Sequence, residues 1–316
     1  MRVVSLAEIR RAVSYGELLD AMREAVIAQS RGECDTPMPM HLSVGGRDAE
    51  VHIKSSWRRG GPFWAVKAAG SYPGRLARGL PVGNGFVLLT AVETGDPVTL
   101  FLDEGWMTDV RTAAVAAMAT RALSRRDTVL GILGTGAQAR LEAALHAEVL
   151  PLERVVLWGR SRERAEACRS EIAAGLPSLA VRVADSPAAV AREARVVVTA
   201  TASRAPLLAE ADIRPGTLLL AVGSDSPGKQ ELDPAILRRT GLLLVDSIAQ
   251  CERLGELQHA RDQKGRAVEL GAFCAAPSRA ETDAVVACDF TGLGVEDLAI
   301  AELAYRRLPS PSDVRG

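Results

Sequence analysis

Short apolar runs that alternate with helical patterns dominate the chain from residue 127 onward. Most of these runs are separated by stretches with apolar residues at helical spacing. Short buried strands between helices are typical of a parallel sheet with right-handed crossovers. The pattern predicts five strands of such a sheet: Val129–Leu133, Val155–Trp158, Arg195–Ala200, Thr217–Val222 and Leu242–Val245.

The first 110 residues follow a different pattern. Residues 6–31 form an amphipathic helical region with Leu18, Met22, Ala25 and Val26 on one face. Alternating and apolar stretches then predict an antiparallel sheet rather than a nucleotide-binding domain. Its strands are expected at Glu50–Trp57, Phe63–Ala69, Gly85–Val92 and Val98–Leu102, the last two joined by a turn at Glu93–Pro97.

The C-terminal segment predicts a last helix, with Leu298, Ala301, Tyr305 and Leu308 at helical spacing and a frayed end from Pro309 onward. We expect this helix to pack back on the first segment. The chain is therefore predicted to be an α/β protein with two domains. One domain, with the parallel sheet, covers residues 111–292, and the other, a discontinuous α+β domain, covers residues 1–110 with 293–316.

Composition excludes several classes of protein but does not indicate which reaction, if any, the protein catalyses. The 316 residues are 47% hydrophobic and 24% charged, as in ordinary globular proteins, and the net charge of −1 gives no basic field for nucleic acid or an anionic membrane. The five cysteines are scattered and the four histidines have no metal-ligand spacing, so we expect reduced thiols, a cytoplasmic location and no metal. No apolar run approaches the length of a membrane-spanning helix, and the N-terminus does not resemble a signal peptide.

A glycine-rich turn follows the first strand of the second domain. The segment Gly134–Gln138 (Gly-Thr-Gly-Ala-Gln) and Ala139 match the pattern G-x-G-x-x-A between a strand and a helix. Gly134 is expected to make the tight turn, Gly136 to let the backbone approach a pyrophosphate, and Ala139 to let the helix pack on the strand. In this βαβ context the turn predicts a dinucleotide site, so that residues 111–292 are expected to form a Rossmann dinucleotide-binding domain, whereas alone it is only a glycine-rich loop.

The tip of the next strand indicates which dinucleotide is preferred. NAD-binding domains usually carry a carboxylate there for the ribose 2′-hydroxyl, but this chain has Gly159, Arg160, Ser161 and Arg162. Arginine and serine side chains suit a 2′-phosphate. We therefore expect these four residues to contact the cofactor and NADP(H) to be preferred, with NAD(H) possible; the alternative is a basic helix start without a ligand.

Ligands of such sheets bind beyond the carboxyl ends of the strands. This rule assigns cofactor contacts to Thr201 and Gly223, each near the end of an apolar run, and the turn Thr291–Gly294 is expected to approach the cofactor through Gly292. It also directs Asp225 toward the nicotinamide region, where a carboxylate can hold a substrate ammonium or accept its proton. The alternative is a turn aspartate that caps the following helix.

Two cations of the first segment have both an ordinary and a functional interpretation. Lys67 lies on the predicted Phe63–Ala69 strand, and spacing alone favours an amine that reaches water, the alternative being an ammonium that binds a carboxylate or relays a proton. Arg111 is predicted in the first turn of a helix capped by Thr108 or Asp109, where a cation opposes the helix dipole unless an anion binds. The alternative for Arg111 is a surface arginine paired with Asp109 or Glu104.

Several stretches of the chain, taken in order, resemble the ornithine cyclodeaminase/mu-crystallin family, which includes archaeal-type alanine dehydrogenases and pyrroline-2-carboxylate or ketimine reductases. The resemblance covers most of the chain. The matching stretches are Lys67, Gly79-Leu80-Pro81 with Gly85, Thr94-Gly95-x-Pro97, Thr108-x-x-Arg111-Thr112-Ala113-Ala114, Gly134-x-Gly136-x-Gln138, Gly223-x-Asp225-x-Pro227-Gly228-Lys229-x-Glu231-Leu232 and Asp289-x-Thr291-Gly292-x-x-x-Glu296-Asp297.

The resemblance implies a homodimer formed through the first segment's sheet, with a substrate cleft between the domains. Lys67 and Arg111 match the family's carboxylate-binding pair, and Asp225 matches the acid that faces the substrate nitrogen. Glu50 is matched to another polar residue of the substrate site. One departure concerns Met38, since family members often have an arginine in this region as a third carboxylate contact.

Three functions fit these features. The first is an NAD(P)H-dependent reductase of a C=N bond in a cyclic imino acid or in an imine of a 2-oxo acid, with Lys67 and Asp225 as catalytic residues and Arg111, Lys67, Glu50 and Met38 around the substrate. The second is an NAD-dependent ornithine or lysine cyclodeaminase. The third is an NADP-binding protein without turnover, as mu-crystallin can be.

Overall fold

The computed structural model describes residues 1–44, 49–277 and 283–309, and the chain divides into two compact units. The first comprises Met1–Arg111 with Leu293–Gly316 and the second comprises Thr112–Gly292. Arg111 therefore belongs with the first unit, whereas the sequence prediction placed it at the start of the second. The expected fraying after Pro309 lies outside the described residues.

The first unit opens with two helices and a seven-stranded sheet. Its elements are β1 Arg2–Ser5, α1 Leu6–Ala12, α2 Tyr15–Ser30, β2 Cys34–Asp35, β3 Met40–Val44, β4 Ala49–Arg58, β5 Phe63–Ser71, β6 Gly83–Ala91 and β7 Pro97–Leu102. The predicted helical region over residues 6–31 is thus two helices. At the start of α1, Ser5 donates its N–H and its hydroxyl to the Glu8 carboxylate, at 2.9 and 2.7 Å. The extended Ser14 separates the two helices and is the N-cap of α2.

The sheet has the order β1-β7-β6-β5-β4-β2, with β3 also paired to β4. All its pairs are antiparallel except β1 with β7, which is parallel. Strands β4 to β7 were predicted from the sequence, whereas β1, β2 and β3 were not. Along β5, Ala65 and Lys67 face the interior, and they are only 1% and 2% exposed.

A long helix, α3, runs from Trp106 to Ala122. The predicted cap at Thr108 or Asp109 is wrong, because the helix begins two residues earlier and the Asp103 carboxylate accepts the Met107 N–H at 2.8 Å. Arg111 consequently lies in the second turn. The conflict with the helix dipole inferred from the sequence does not arise, since that effect is confined to the first turn.

The second unit is built on an eight-stranded sheet in which every pair is parallel. The remaining elements of the chain are β8 Val129–Leu133, α4 Ala137–Ala147, β9 Arg154–Trp158, α5 Arg162–Gly175, β10 Ala180–Val183, α6 Pro187–Glu193, β11 Val196–Thr199, β12 Arg204–Leu208, β13 Leu218–Ala221, β14 Gln230–Leu232, α7 Pro234–Arg239, β15 Leu242–Val245, α8 Ile248–Leu254, β16 Ala267–Glu269, α9 Leu270–Ala275, β17 Val286–Asp289 and α10 Gly294–Arg307.

The strand order of this sheet is β10-β9-β8-β11-β13-β17-β15-β16. From β8, the next strands of the chain are added on one side as far as β10, and the later strands, from β11, are added on the other side, so the topological switch point lies between β8 and β11. Such a switch point is where α/β sheets bind nucleotides. All five predicted strands are present. Strands β10, β16 and β17 of the sheet and the small β12–β14 pair were not predicted from the sequence. The predicted α/β class with a Rossmann-type sheet is confirmed.

The last helix, α10, returns to the first unit and contacts α2, β4 and β5. Leu298 and Ala301 are buried in this contact, and the Tyr305 ring meets Phe63 edge-on at 5.2 Å between centroids. Among the described residues, no helix is long and apolar enough to cross a membrane.

Candidate functional site

The glycine-rich turn lies at the switch point of the parallel sheet. Gly134 has φ +136°, and a Cβ there would lie 2.5 Å from the Ala200 carbonyl oxygen after β11. No other residue type fits this position without strain. Within the described part of the chain, nothing lies within 4 Å of a Cβ built on Gly136, which precedes the first residue of α4. The turn therefore combines a forced bend with an open approach to helix N–H groups, as a pyrophosphate requires.

Neighbouring residues hold this turn in shape. Arg140 on α4 donates to the carbonyl oxygens of Thr135 and Gly136, at 3.1 and 2.8 Å. A Cβ on Gly159 would collide with the Thr135 side chain. The glycine at position 159 is thus explained by its close approach to the turn, and Arg140 was not anticipated from the sequence.

The tip of β9 carries the residues predicted to select NADP(H). Arg160 is exposed. Ser161 caps α5, because its Oγ accepts the Arg164 N–H at 3.2 Å. Arg162 forms ion pairs with Glu166 and Asp185, at 2.9 and 3.1 Å. Two of the three side chains expected to meet a 2′-phosphate already have intramolecular partners.

A buried carboxylate joins the carboxyl ends of β11 and β13. Oε1 of Glu231 accepts from the Thr201 N–H and hydroxyl at 2.6 and 2.7 Å, and Oε2 accepts from the Thr199 hydroxyl and Gly223 N–H at 2.8 and 2.9 Å. Burial raises the pKa of Glu231, while these hydrogen bonds lower it. Thr201 and Gly223, both predicted to line the cofactor site, are therefore positioned by one side chain.

A second carboxylate, that of Asp246, positions the backbone of the segment that follows β17. Asp246 accepts the N–H groups of Thr291 and Gly292 at 2.7 and 2.6 Å. The Gly292 carbonyl in turn accepts from the Gln250 amide at 2.8 Å, and Gly292 has φ +77°. Asp246 thereby fixes the backbone of the third predicted cofactor contact.

Asp289, the last residue of β17, is a third buried acid at this edge of the sheet. It accepts the N–H groups of Glu256 and Leu257, at 2.9 and 2.8 Å. Burial raises the pKa of Asp289 to about 7. Burial and the nearby charge of Asp289 also raise the pKa of Glu256 well above its usual range. These acids organise loops rather than present themselves to solvent.

Asp225 lies in the second unit, in the turn after β13. Its Oδ1 is 2.6 Å from Nζ of Lys229 and 3.1 Å from the Ser226 hydroxyl. A third of the Asp225 side chain (34%) is exposed. The alternative of a helix cap is wrong, because the next helix, α7, is capped by Asp233, which accepts the Ala235 N–H. Asp225 is thus a partly accessible carboxylate beside an ammonium.

The two predicted carboxylate ligands, Lys67 and Arg111, are brought together in the first unit by the start of α10. Nζ of Lys67 lies 3.1 Å from Oδ2 of Asp297, and Nε of Arg111 lies 3.2 Å from Oδ1 of the same carboxylate. Arg111 also pairs with Glu296 at 2.8 Å. The interpretations of Lys67 as a lysine whose amine reaches water, and of Arg111 as a surface residue paired with Asp109 or Glu104, are wrong.

Burial governs the ionisation of this cluster. Loss of solvent lowers the pKa of Lys67, against the opposite effect of the Asp297 charge. Burial by itself raises the pKa of Asp297, but the positive charges of Lys67, Arg111 and Lys54 bring it below its usual value. The carboxylate therefore stays ionised, and it holds two cations in fixed orientations.

Lys54 is a cation of this cluster that sequence reasoning missed. It lies on β4 directly opposite Lys67 on β5 and is 5% exposed. Glu50, which was assigned to the substrate site, lies on the same face of β4, with a side chain 40% exposed and 4.0 Å from His52. The strand signal over Glu50–Trp57 could have identified Lys54, because residues 50, 52, 54 and 56 share one face of a strand.

Met38 precedes β3 and is 41% exposed. Its assignment to the substrate site, like the roles of the other predicted site residues, stays a prediction. Asp297 and Glu231 were not identified as site residues from the sequence. Both stand in matched stretches, but their function depends on partners far away in the sequence.

Comparisons with known proteins place the chain among amino-acid and imino-acid enzymes. Iminosuccinate reductase of Paracoccus denitrificans is 31% identical, with 96% of this chain and 95% of that protein covered. The structure of Thermococcus litoralis Δ1-pyrroline-2-carboxylate reductase with NADH and L-proline has a TM-score of 0.90 at 25% identity, covering 97% of both chains.

An archaeal alanine dehydrogenase dimer with bound NAD has a TM-score of 0.86 at 25% identity, covering 97% of this chain and 95% of that one. The model of the ornithine cyclodeaminase/mu-crystallin family matches residues 1–311. The resemblance inferred from the ordered motifs is confirmed: this chain belongs to the ornithine cyclodeaminase/mu-crystallin family.

Proposed function

We propose that the protein is an NAD(P)H-dependent oxidoreductase that reduces the C=N bond of a small imino acid, cyclic or formed from a 2-oxo acid and an amine. The relatives that reduce iminosuccinate and pyrroline-2-carboxylate support this class of reaction. In the balanced reaction, one C=N bond, one NAD(P)H and one proton give one C–N single bond and NAD(P)⁺.

The observation that carries the proposal is the buried pair Lys67 and Arg111, both held by Asp297. Burying an ammonium and a guanidinium costs free energy, and a purely structural cluster gains little over apolar packing. Their retention is explained if they bind a substrate carboxylate, for which the arginine fork and the ammonium are suited.

The chain's residues supply binding, orientation and electrostatics. Lys67 and Arg111 hold the substrate carboxylate and so fix the position of the neighbouring C=N carbon. Asp225 stabilises the positive charge of the protonated imine nitrogen, and Lys229 keeps its carboxylate oriented. When bound, the nicotinamide dinucleotide supplies the hydride.

The fit to a dinucleotide rests on the bend at Gly134, the open approach at Gly136 and the parallel switch point. We propose contacts from Gly134–Gln138, Gly159–Arg162, Thr201, Gly223 and Gly292. NADP(H) remains our preferred cofactor, because the tip of β9 has no carboxylate for a ribose 2′-hydroxyl and Arg160 is exposed. Because Ser161 and Arg162 already have intramolecular partners, we propose that Arg160 makes the main contact with the 2′-phosphate.

A homodimer is the assembly we propose. The outward face of the first sheet has a continuous apolar row, since Val66, Leu88, Leu100 and Val3 are register partners on β5, β6, β7 and β1. Val3, Phe86 and Leu102 on this face are 53%, 40% and 46% exposed. A surface of this kind is typical of a protein interface, and the alanine dehydrogenase relative is a dimer.

The proposal is tested by following NADPH and NADH oxidation with pyrroline-2-carboxylate, piperideine-2-carboxylate, and pyruvate or oxaloacetate with ammonium. Oxidation with at least one substrate is expected, with a large loss in Asp225→Asn. Ammonia release from ornithine without added reductant would instead identify a cyclodeaminase. Tight NADPH binding without oxidation of any substrate would identify a binding protein.

A further inference from the structure

Three buried carboxylates form a chain of contacts along the carboxyl edge of the parallel sheet. The carboxylate of Asp289, the last residue of β17, accepts the Glu256 N–H at 2.9 Å. The Glu256 carboxylate in turn accepts the N–H groups of Glu231 and Leu232, at 2.8 and 3.2 Å. Each carboxylate therefore holds the main chain from which the next carboxylate projects.

This chain of carboxylates ends at two of the proposed cofactor contacts. The Glu231 carboxylate accepts the N–H groups of Thr201 and Gly223, at 2.6 and 2.9 Å, just beyond the ends of β11 and β13. The packing is close here, because a Cβ on Gly223 would lie 2.6 Å from Oε2 of Glu231. Closely packed groups transmit small displacements, so a shift of Glu231 is expected to move both backbone segments.

Glu231 stands outside the strand ladder of the main sheet. It lies on β14, which pairs with β12 in a two-stranded sheet separate from the eight-stranded one. The position of Glu231 relative to the main sheet therefore depends on contacts other than that ladder. Glu256 supplies such a contact, because its carboxylate holds β14 while its own N–H is held by Asp289 on β17.

Burial makes this arrangement costly. Asp289, Glu256 and Glu231 are 1%, 1% and 0% exposed, and among the described residues none of the three forms an ion pair with a cation. Burial, and then the charges of Asp289 and Glu231, raise the pKa of Glu256 well above its usual range. Buried acids without a cation cost free energy. A purely structural role, in which they only satisfy buried N–H groups, predicts lower stability on substitution but no specific loss of cofactor affinity.

We propose that Glu256 is a positioning residue of the dinucleotide site, which acts through Glu231 on Thr201 and Gly223. This inference rests on the dinucleotide site of the proposed function. Glu256 holds β14 so that both oxygens of Glu231 face the N–H groups beyond β11 and β13. The backbone at these strand ends is then already ordered before the cofactor arrives, and binding loses less free energy in ordering it.

The test is a double-mutant cycle of Glu256→Gln and Glu231→Gln, measured as dissociation constants for NADH and NADPH. Glutamine at position 256 replaces one accepting oxygen with a donor, so Glu256→Gln should weaken binding about tenfold. If Glu256 acts through Glu231, the double variant should bind about as weakly as Glu231→Gln alone, because effects within one network are not additive. The control is Glu252→Gln on α8, at a side chain 29% exposed and paired with Lys264, which should bind as the wild type does.

Two further measurements separate positioning from a loss of folding. Each variant is first checked by thermal unfolding, and with an imine that the wild type reduces, the defect of Glu256→Gln should appear in the KM for NAD(P)H rather than in kcat at saturating cofactor. Without cofactor, hydrogen–deuterium exchange at Thr201 and Gly223 should be faster in Glu256→Gln than in the wild type. Asp289→Asn, one step further along the chain of contacts, should weaken binding in the same non-additive way, and it takes the place of Glu256→Gln in the cycle if that variant does not fold.

Wild-type affinity in folded Glu256→Gln, or additive losses in the double variant, would overturn the inference. A defect confined to kcat would do the same. If the wild type binds neither NADH nor NADPH, the proposed dinucleotide site fails. Tight binding by both the wild type and Glu256→Gln refutes only the role of Glu256.

Discussion

Lys67 and Asp297 form an ion pair that is buried at both ends, with Nζ 3.1 Å from Oδ2 and each side chain 2% exposed. They are contributed by a central strand of the first sheet and by the last helix of the chain. The start of α10 therefore contacts both proposed carboxylate ligands, because Asp297 also pairs with Arg111. The first prediction concerns this carboxylate.

Asp297→Asn should lower the free energy of unfolding by about 3–5 kcal/mol, because removing one partner of a buried pair leaves the other charge uncompensated. Urea denaturation followed by circular dichroism measures the loss. The matched control is Glu302→Gln on the same helix, whose partner Arg306 is 62% exposed; a change below about 1 kcal/mol is expected there. Equal small losses in the two variants would contradict a central role for Asp297.

The alkaline limit of substrate binding should reflect Lys67. The ammonium must be protonated to bind a carboxylate, so binding is complete below its pKa and is lost as the pH rises through it. Burial lowers this pKa, so kcat/KM should fall at a pH below the value near 10.4 of an ordinary lysine. In Lys67→Arg the decline should move upward, because arginine stays charged. An unchanged alkaline limit in this variant would exclude Lys67 as its source.

Glu231→Gln should weaken dinucleotide binding at least about tenfold. Both oxygens of the Glu231 carboxylate accept, and together they receive four hydrogen bonds. Glutamine replaces one of these oxygens with an NH₂ group, which donates and therefore faces other donors. Titration of NADH fluorescence measures the dissociation constant. Glu210→Gln, at a side chain 47% exposed, is the control and should bind as the wild type does. Wild-type affinity in Glu231→Gln would show that Thr201 and Gly223 do not shape the cofactor site.

Arg160→Ala should weaken NADPH binding far more than NADH binding, since only NADPH carries the 2′-phosphate. Arg164→Ala, at another exposed arginine of the same region, is the matched control and should affect neither. The measurement is the dissociation constant of each variant for NADPH and for NADH. Equal losses for the two cofactors in Arg160→Ala would refute a 2′-phosphate contact.

Leu88→Glu should convert the proposed dimer into a monomer, because it introduces a charge in the middle of the apolar row on the outward sheet face. The control is Leu76→Glu. Leu76 is 51% exposed and lies in a 3₁₀ turn away from that row, so the protein with this substitution should remain dimeric. Sedimentation velocity distinguishes the two states. A wild type that sediments as a monomer would remove the basis for the interface.

The parallel sheet could be predicted from the sequence because its signals are local. A run such as Val129–Leu133 and the glycines after it specify a strand, a turn and a helix within twenty residues. The strand β17 was missed although Val286–Asp289 is mostly apolar, and it lies between β13 and β15 in the sheet. Short apolar strands carry little periodicity, so their presence is decided by neighbours that are remote in sequence.

The candidate site was predictable only in part. Lys67 and Arg111 could be named from the motifs, but spacing alone placed the Lys67 amine in water and Arg111 in the first turn of its helix. The correct environment depends on Asp297, 186 residues after Arg111. Likewise, Glu231 is 30 residues from Thr201, and no local pattern links a carboxylate to the strand end that it stabilises.

The discontinuity of the first unit has a consequence for the order of folding. Residues 112–292 form a continuous segment and can complete their parallel sheet while the chain is still being synthesised. The N-terminal part of the first unit must meanwhile carry Lys54, Lys67 and Arg111 without the carboxylates of Glu296 and Asp297, which are made about 200 residues later. The long-range closure between α10 and this sheet is therefore expected to be a late step, and the substrate site is assembled only when that step is complete.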